Sequence, residues 1–510
     1  MIQLPFEIIQ EIMNKCDFLI KIRLNSINKY YYKNTYIDDL LNISRELQSK
    51  LNDEILNQKK FKNLKKLYVN QRISLDNILK LNLIELEFFC NDKIKDVSFM
   101  KSLKKLIMDS ECEIEQNGIE GLDLIELQIN YNMGIHNVSF MKNLKILQDD
   151  GGRCSINQDG IVGLDLIELH LDNNRQIHDV SFMKNLKIFN VGRHCKINQK
   201  GIDGLNLVEL YVCSNKNITD VSFMKNLKIL DASHNCGINQ RGIKNLDLME
   251  LYARDNEKIT NISHMKNLKI LDASHNCGIN QRGIENLNLM ELYARNNEKI
   301  TNISHMKNLK ILDVRGNCGI NQNGILGLDL IELNALDNPK INNVSFMKNL
   351  KDLDASFECG INQGGIEGLD LVKLRACNNN KIKNVSFMKN LKQLDAGFMR
   401  HLNTSECGID QNGIQDLDLI LLFANGNDKI TDVSFMKKLK ILDAGGNYCG
   451  INTDGIRGLK LKYMNTYGND KILLSDEITN ELDETSKYIT EDGKYTVVND
   501  IGSFWQFDKI

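Results

Sequence analysis

Proline and tryptophan are nearly missing from this chain of 510 residues: Pro5 and Pro339 are the two prolines, and Trp505 is the one tryptophan. A surplus of one charge is lacking too. With 64 basic against 67 acidic residues the formal net charge is −3, which gives no global reason to expect nucleic acid or a membrane surface as a partner. No run reaches the roughly 18 consecutive apolar residues of a membrane span. The opening MIQLPFEIIQEIMNKCDF carries acids and a proline, where a secretory leader needs a basic start and an unbroken apolar stretch. The expectation is therefore a chain kept on the cytosolic or nuclear side. No phosphate-binding glycine loop occurs, and no histidine converges in the sequence with Ser or Cys and an acid, so no enzyme and no cofactor are expected.

Repetition is abundant. The eighteen residues NLKILDASHNCGINQRGI occur from Asn226 to Ile243 and again, unchanged, from Asn267 to Ile284. Ser-Phe-Met or Ser-His-Met starts at 98, 139, 181, 222, 263, 304, 345, 386 and 434, which sets a period of 41 residues with two small departures. Inside each period a frame L-x-x-L-x-[A/L/V]-x-x-N-x-x-I appears twice, as in Leu227, Leu230, Ala232, Asn235, Ile238 and then Leu248, Leu251, Ala253, Asn256, Ile259. Alternation at period two suits a strand, and an asparagine suits the turn that follows. One such unit cannot bury its own apolar edge, so it must stack on copies of itself.

The frame resembles the leucine-rich repeat family over residues 62–472, in about twenty repeats of 20–21 residues. The resemblance implies an α/β solenoid with a curved parallel sheet on a concave face and the asparagine bonding backbone at each turn. Only about nine residues separate the frames, enough for a turn or a short 3₁₀ segment.

Nine of the 13 cysteines fall in one column, among them Cys236, Cys277 and Cys318, just after the asparagine position. Column neighbours are two coils apart, about 9.6 Å at a 4.8 Å strand spacing, beyond disulfide reach. They read as small buried thiols. The His-Asn-Cys triplets at 234–236 and 275–277 fit no tetrahedral zinc spacing, so no metal is expected. Asn-x-Ser triplets such as Asn261-Ile262-Ser263 read as turn-forming asparagines.

On a parallel sheet, equal frame positions line up as ladders. Glu209, Glu250 and Glu291 alternate with isoleucines, while Asp231, Asp272 and Asp313 alternate with Tyr211, Tyr252 and Tyr293, and Arg254 and Arg295 offset part of the charge. These residues are the candidate partner-binding face, fitted to a protein target offering a partly basic, partly apolar segment.

The N-terminal texture differs. Leu4, Pro5 and Glu7 open an apolar helical pattern continued by Ile8, Ile9, Ile12 and Met13, and Asn28, Lys29, Tyr30 and Tyr31 close it. This resembles an F-box. In that family the motif binds the small adaptor subunit of a cullin-RING ubiquitin ligase while leucine-rich repeats hold the substrate, a pairing similar to proteins of large amoeba-infecting DNA viruses. The expected organisation is thus an F-box-like motif over 1–36, a connecting helix over 37–61, the repeats over 62–472 and a C-terminal cap over 473–510 with a hairpin turning at Asp492-Gly493. Two functions remain open: substrate receptor of such a ligase in a eukaryotic host cell, or an interaction scaffold without the ligase. In either case the expectation is a monomer.

Overall fold

The computed structural model describes residues 36–43, 45–108, 112–150, 155–398 and 406–473, and the backbone of 487–489. The F-box-like stretch, most of the 398–406 insertion and nearly all of the C-terminal cap lie outside the described residues. By contacts the chain divides into two units, Met1–Leu248 and Met249–Ile510.

In the first unit nine short strands, from Lys66–Val69 to Ile229–Asp231, follow one another at one strand per frame. Each pairs in parallel with the next, central leucine against central leucine or its substitute: Leu67 on Leu86, Leu169 on Phe189, Leu210 on Leu230. The central side chains are fully buried while their two strand neighbours are half-exposed. That is what a period of two dictates for a sheet covered on one side. Residues 37–61 close the first coil. Leu40 donates its backbone N–H to Lys66, the helices Arg45–Lys50 and Asp53–Leu56 follow, and Ile37, Leu51, Leu56 and Phe61 are buried. The connector breaks at Asn52, whose side chain caps the second helix through the Ile55 N–H, so it folds as two short helices.

The second unit repeats the scheme. Eleven strands run from Glu250–Tyr252 to Tyr463–Asn465, and Lys487–Ile489 adds a further parallel strand on Tyr463–Asn465. Ala253, Ala273 and Ala294 are completely buried beside the leucines. Their small size lets successive coils close up. The segments between frames are single turns, with a short helical piece in every second coil, 3₁₀ at Gln281–Ile284 and Gln322–Ile325 and α-helical at Gln363–Ile366. Asn280 caps the first of these by accepting from the Arg282 and Gly283 N–H groups. Asn261 accepts from both the Ser263 N–H and the Ser263 hydroxyl, so the Asn-x-Ser triplets are turn chemistry. Each unit is a leucine-rich repeat solenoid.

The turn after the strand is built in two ways, and this is why the period is 41 and not 20. In one coil the frame asparagine is buried: Asn297, 1 % exposed, donates to the Ala273 and Ile279 carbonyls of the preceding coil at 2.6 and 3.3 Å and accepts from the Lys299 N–H at 2.9 Å. In the other coil the frame asparagine points to solvent, as Asn276 does, and the following cysteine takes the inside place. Cys407 and Cys449 lie against the Ala376 and Ala424 carbonyls of the earlier coil. In the second unit a glycine follows each column cysteine, as Gly278 follows Cys277. A Cβ at Gly278 would collide with the Glu257 and Ile259 carbonyl oxygens, and its N–H donates to Asn256.

Burial pushes the column thiols up, Cys277 and Cys359 to about 12 and Cys318 and Cys449 to about 11. They are protonated and inert near neutrality. All eleven described cysteines carry free thiols.

Candidate functional site

In the second unit the outward strand face carries the residues predicted to bind a partner, and the register sets them side by side. Glu250 lies beside Ile270, which lies beside Glu291, which lies beside Ile311. Tyr252, Asp272, Tyr293 and Asp313 form the second row. The ladders read from the sequence are therefore adjacent in space.

Hydrogen bonds then tie the rows together within each strand. Glutamate and tyrosine two residues apart point to the same side, and the Tyr252 hydroxyl donates to Glu250 Oε2 at 2.9 Å, the Tyr293 hydroxyl to Glu291 Oε2 at 3.0 Å. Burial and the Glu291 acceptor both push the Tyr293 phenol up, so it stays a donor. Among the described residues no group bonds the Oε1 atoms of Glu250 and Glu291. A fixed row of half-buried carboxylate oxygens results, ordered by rigid phenols at little remaining entropic cost.

Asp272 sits between the two tyrosines. Its Oδ1 accepts from the Ser274 N–H at 2.9 Å, and burial holds its carboxyl above the usual range. Asp313 is placed differently. Only 5 % exposed, it takes the Arg315 guanidinium through Nε at 2.8 Å and Nη2 at 2.5 Å, which leaves the acid row neutralised at this end. Arg254 and Arg295 stand half-exposed just past the strands, Arg254 with Nε 3.6 Å from Asp255. In the first unit Glu209 repeats the pattern, accepting from the Tyr211 hydroxyl at 2.9 Å, and Asp231 accepts from the Ser233 N–H at 2.9 Å.

Three features carry chemistry that the sequence ladders did not assign. Downstream on the same face Asp352 takes Lys373 at 3.2 Å and Arg375 at 3.1 Å, an ion-pair cluster signalled by opposite charges at equal frame positions of consecutive copies. Asp395 lies between Arg375 and Phe423 in register, and its carboxyl is pushed up to about 7, first by burial and then against Asp354 and Asp443. In the first unit a hollow of about 480 Å³ is lined by Arg45, Tyr68, Arg72 and Phe89, with the two rings stacked 6.1 Å apart. Among the described residues no three His, Cys, Asp or Glu side chains are placed to share a metal ion, and no helix is long and apolar enough to cross a membrane.

No protein-family model matches the chain, and no curated protein matches it in sequence. Among solved structures the chain is similar to CroV588, described as a novel circular leucine-rich repeat protein, at 17 % identity and a TM-score of 0.41 over 84 % of this chain and 72 % of that one. It is similar to the mouse RP105/MD-1 complex at 14 % identity and a TM-score of 0.42 over 83 % and 86 %. An internalin, InlF of Listeria monocytogenes, matches at 15 % identity and a TM-score of 0.24 over 68 % and 82 %. The repeat fold itself follows from this chain's own strand register and turn bonding.

Proposed function

We propose that this protein is a non-catalytic recognition scaffold, and that the outward strand face around Glu250, Asp272 and Glu291 docks a protein segment carrying basic and apolar side chains. The observation that carries this reading is the pair of Glu–Tyr hydrogen bonds. They hold carboxylate oxygens in a row beside the Ile270 and Ile311 side chains, so cationic groups and apolar surface are met together without reordering the face. Arg254 and Arg295 at the margin set the register of the bound segment. Glu250→Lys with Glu291→Lys is expected to deplete the captured proteins at least about tenfold in a quantitative affinity purification, since each reversal replaces an attraction by a repulsion. An unchanged set of captured proteins, with the variant still folded, would refute the docking face.

The finer reading places the scaffold in a cullin-RING ubiquitin ligase as a substrate receptor working in the cytoplasm or nucleus. Its support is the sequence Leu4-Pro5-x-Glu7 followed by Ile8, Ile9, Ile12 and Met13, which resembles an F-box. Adaptor and cullin should co-purify with the wild type and be lost with Pro5→Asp plus Ile9→Asp. Failure of the wild type to retain the adaptor would leave a scaffold acting outside that ligase.

A further inference from the structure

The stretch ILDVRGNCG at 311–319 returns as ILDAGGNYCG at 441–450. Glycine stands at Gly445 where the first copy has Arg315, and one residue, Tyr448, is added. The two aspartates are held alike by the backbone: Asp313 Oδ1 accepts the Arg315 N–H at 3.1 Å, and Asp443 Oδ1 accepts the Gly445 N–H at 3.0 Å. Their other oxygens differ. At Asp313 the guanidinium folds back onto the acid, with Nη2 reaching Oδ2 at 2.5 Å. At Asp443 the Asn465 amide adds a bond to Oδ1 at 3.1 Å, but among the described residues nothing donates to Oδ2 and no cation acts on the carboxyl. Asp443 is only 6 % exposed. Ionised, it is a buried charge without a counter-charge, which is costly.

The space that Arg315 fills at Asp313 is open at Asp443. A hollow of about 570 Å³ is lined there by Asp443, Gly445, Gly446, Asn465, Tyr448 and Tyr467, among others, a volume in the range of ligand sites. Gly446 has φ of +89°, a backbone that a side chain would strain. Tyr448 and Tyr467, at 52 % and 62 %, are the two most exposed tyrosines among the described residues of the second unit. An adjoining hollow of about 230 Å³ shares Phe398, Gly426 and Tyr448 and adds Glu406 and Asp428. No described lysine or arginine lines either hollow. Lys429 pairs with Glu406 at 3.3 Å, so one of the three lining acids is neutralised and the local balance stays negative.

We propose that this hollow binds the guanidinium of an arginine side chain presented by a partner protein. The guanidinium takes the place at Asp443 that Arg315 holds at Asp313, its N–H groups directed at the carboxylate. Its planar face lies against the exposed tyrosine rings, which attract a cation and stack on a flat one. A lysine ammonium supplies the charge without the planar fork, so it is the weaker ligand. The site is separate from the strand face around Glu250 and does not depend on it.

The test is photo-cross-linking of the full-length protein with N-acetylated benzoylphenylalanine-Gly-Arg-Gly amide, mapped by mass spectrometry. Labelling is expected within residues 425–468. Asp443→Asn, which keeps an oxygen for the Gly445 N–H, should lower the yield at sub-saturating probe at least about tenfold, the effect of removing one partner of a buried charge pair. Gly445→Arg, which supplies the guanidinium from the chain itself, should abolish it. The same peptide with lysine in place of arginine should label several-fold less. If Asp443→Asn loses its unfolding transition, Tyr448→Ala with Tyr467→Ala serves in its place, both at exposed positions, and should lower the yield several-fold. Equal labelling by the lysine peptide, or undiminished labelling of the folded variants, would overturn the proposal. So would labelling confined to residues 250–313, which would leave the docking face of the proposed function standing.

Discussion

Replacing Asn297 by alanine is expected to cost about 3–5 kcal/mol of stability in the second unit, because it strands two buried carbonyls and one amide at about 1–3 kcal/mol each, partly relieved by relaxation. The groups are the Ala273 and Ile279 carbonyls and the Lys299 N–H. The two carbonyl bonds are buried between coils, where water cannot substitute, and the Lys299 amide bond is part-buried. The control lies within the same repeat. Asn276 holds the same frame position one coil earlier, yet its side chain is exposed, so Asn276→Ala should stay within about 0.5 kcal/mol of wild type. Denaturant midpoints of the two variants decide the matter. Equal midpoints would contradict the two-coil account of the turns.

The second large effect concerns pH. Asp395 has a folded value of about 7 against an ordinary 3.8, so between those values the native state holds a proton that the unfolded chain has released. Stability is therefore lost as pH rises from about 4 to about 7 and stays lost above, by at most about 4 kcal/mol for this group. Burial is the main cause; the Gly397 N–H bond and Arg375 oppose it, while Asp354 and Asp443 add repulsion. Asp395→Asn removes the ionisation and keeps an oxygen for the Gly397 N–H, which now bonds Oδ1 at 2.9 Å. The variant should melt well above wild type at pH 8 and close to it at pH 4, as read by thermal unfolding at the two values. The same gain at both pH values would show that the carboxyl is not the destabilising charge.

The repeat period, the strand positions and the side-chain ladders were legible in the sequence, because leucines at fixed spacing leave one way to bury an apolar edge. Which asparagines point inward was not. The frame letters are identical at Asn276 and Asn297, and the distinguishing signal is the Cys277-Gly278 pair that follows the first, since only a glycine tolerates the carbonyls of the coil beneath. The Glu–Tyr bonds could have been foreseen, as residues two apart on a strand share a face. Asp313 could not be told from Asp272 by ladder position, because Arg315 and Ser274 two residues later decide whether the acid is neutralised.

In-register stacking is most directly tested by cysteine pairs. Ile270 and Glu291 are partners in register, at a strand spacing of about 4.8 Å that lies inside the disulfide range. Ile270→Cys with Glu291→Cys should cross-link on mild oxidation, found by peptide mapping under non-reducing conditions. Ile270→Cys with Tyr293→Cys, displaced by two residues to about 8 Å, should not. Cross-linking of the displaced pair in preference to the aligned one would contradict the stacked register on which the faces and the turns depend.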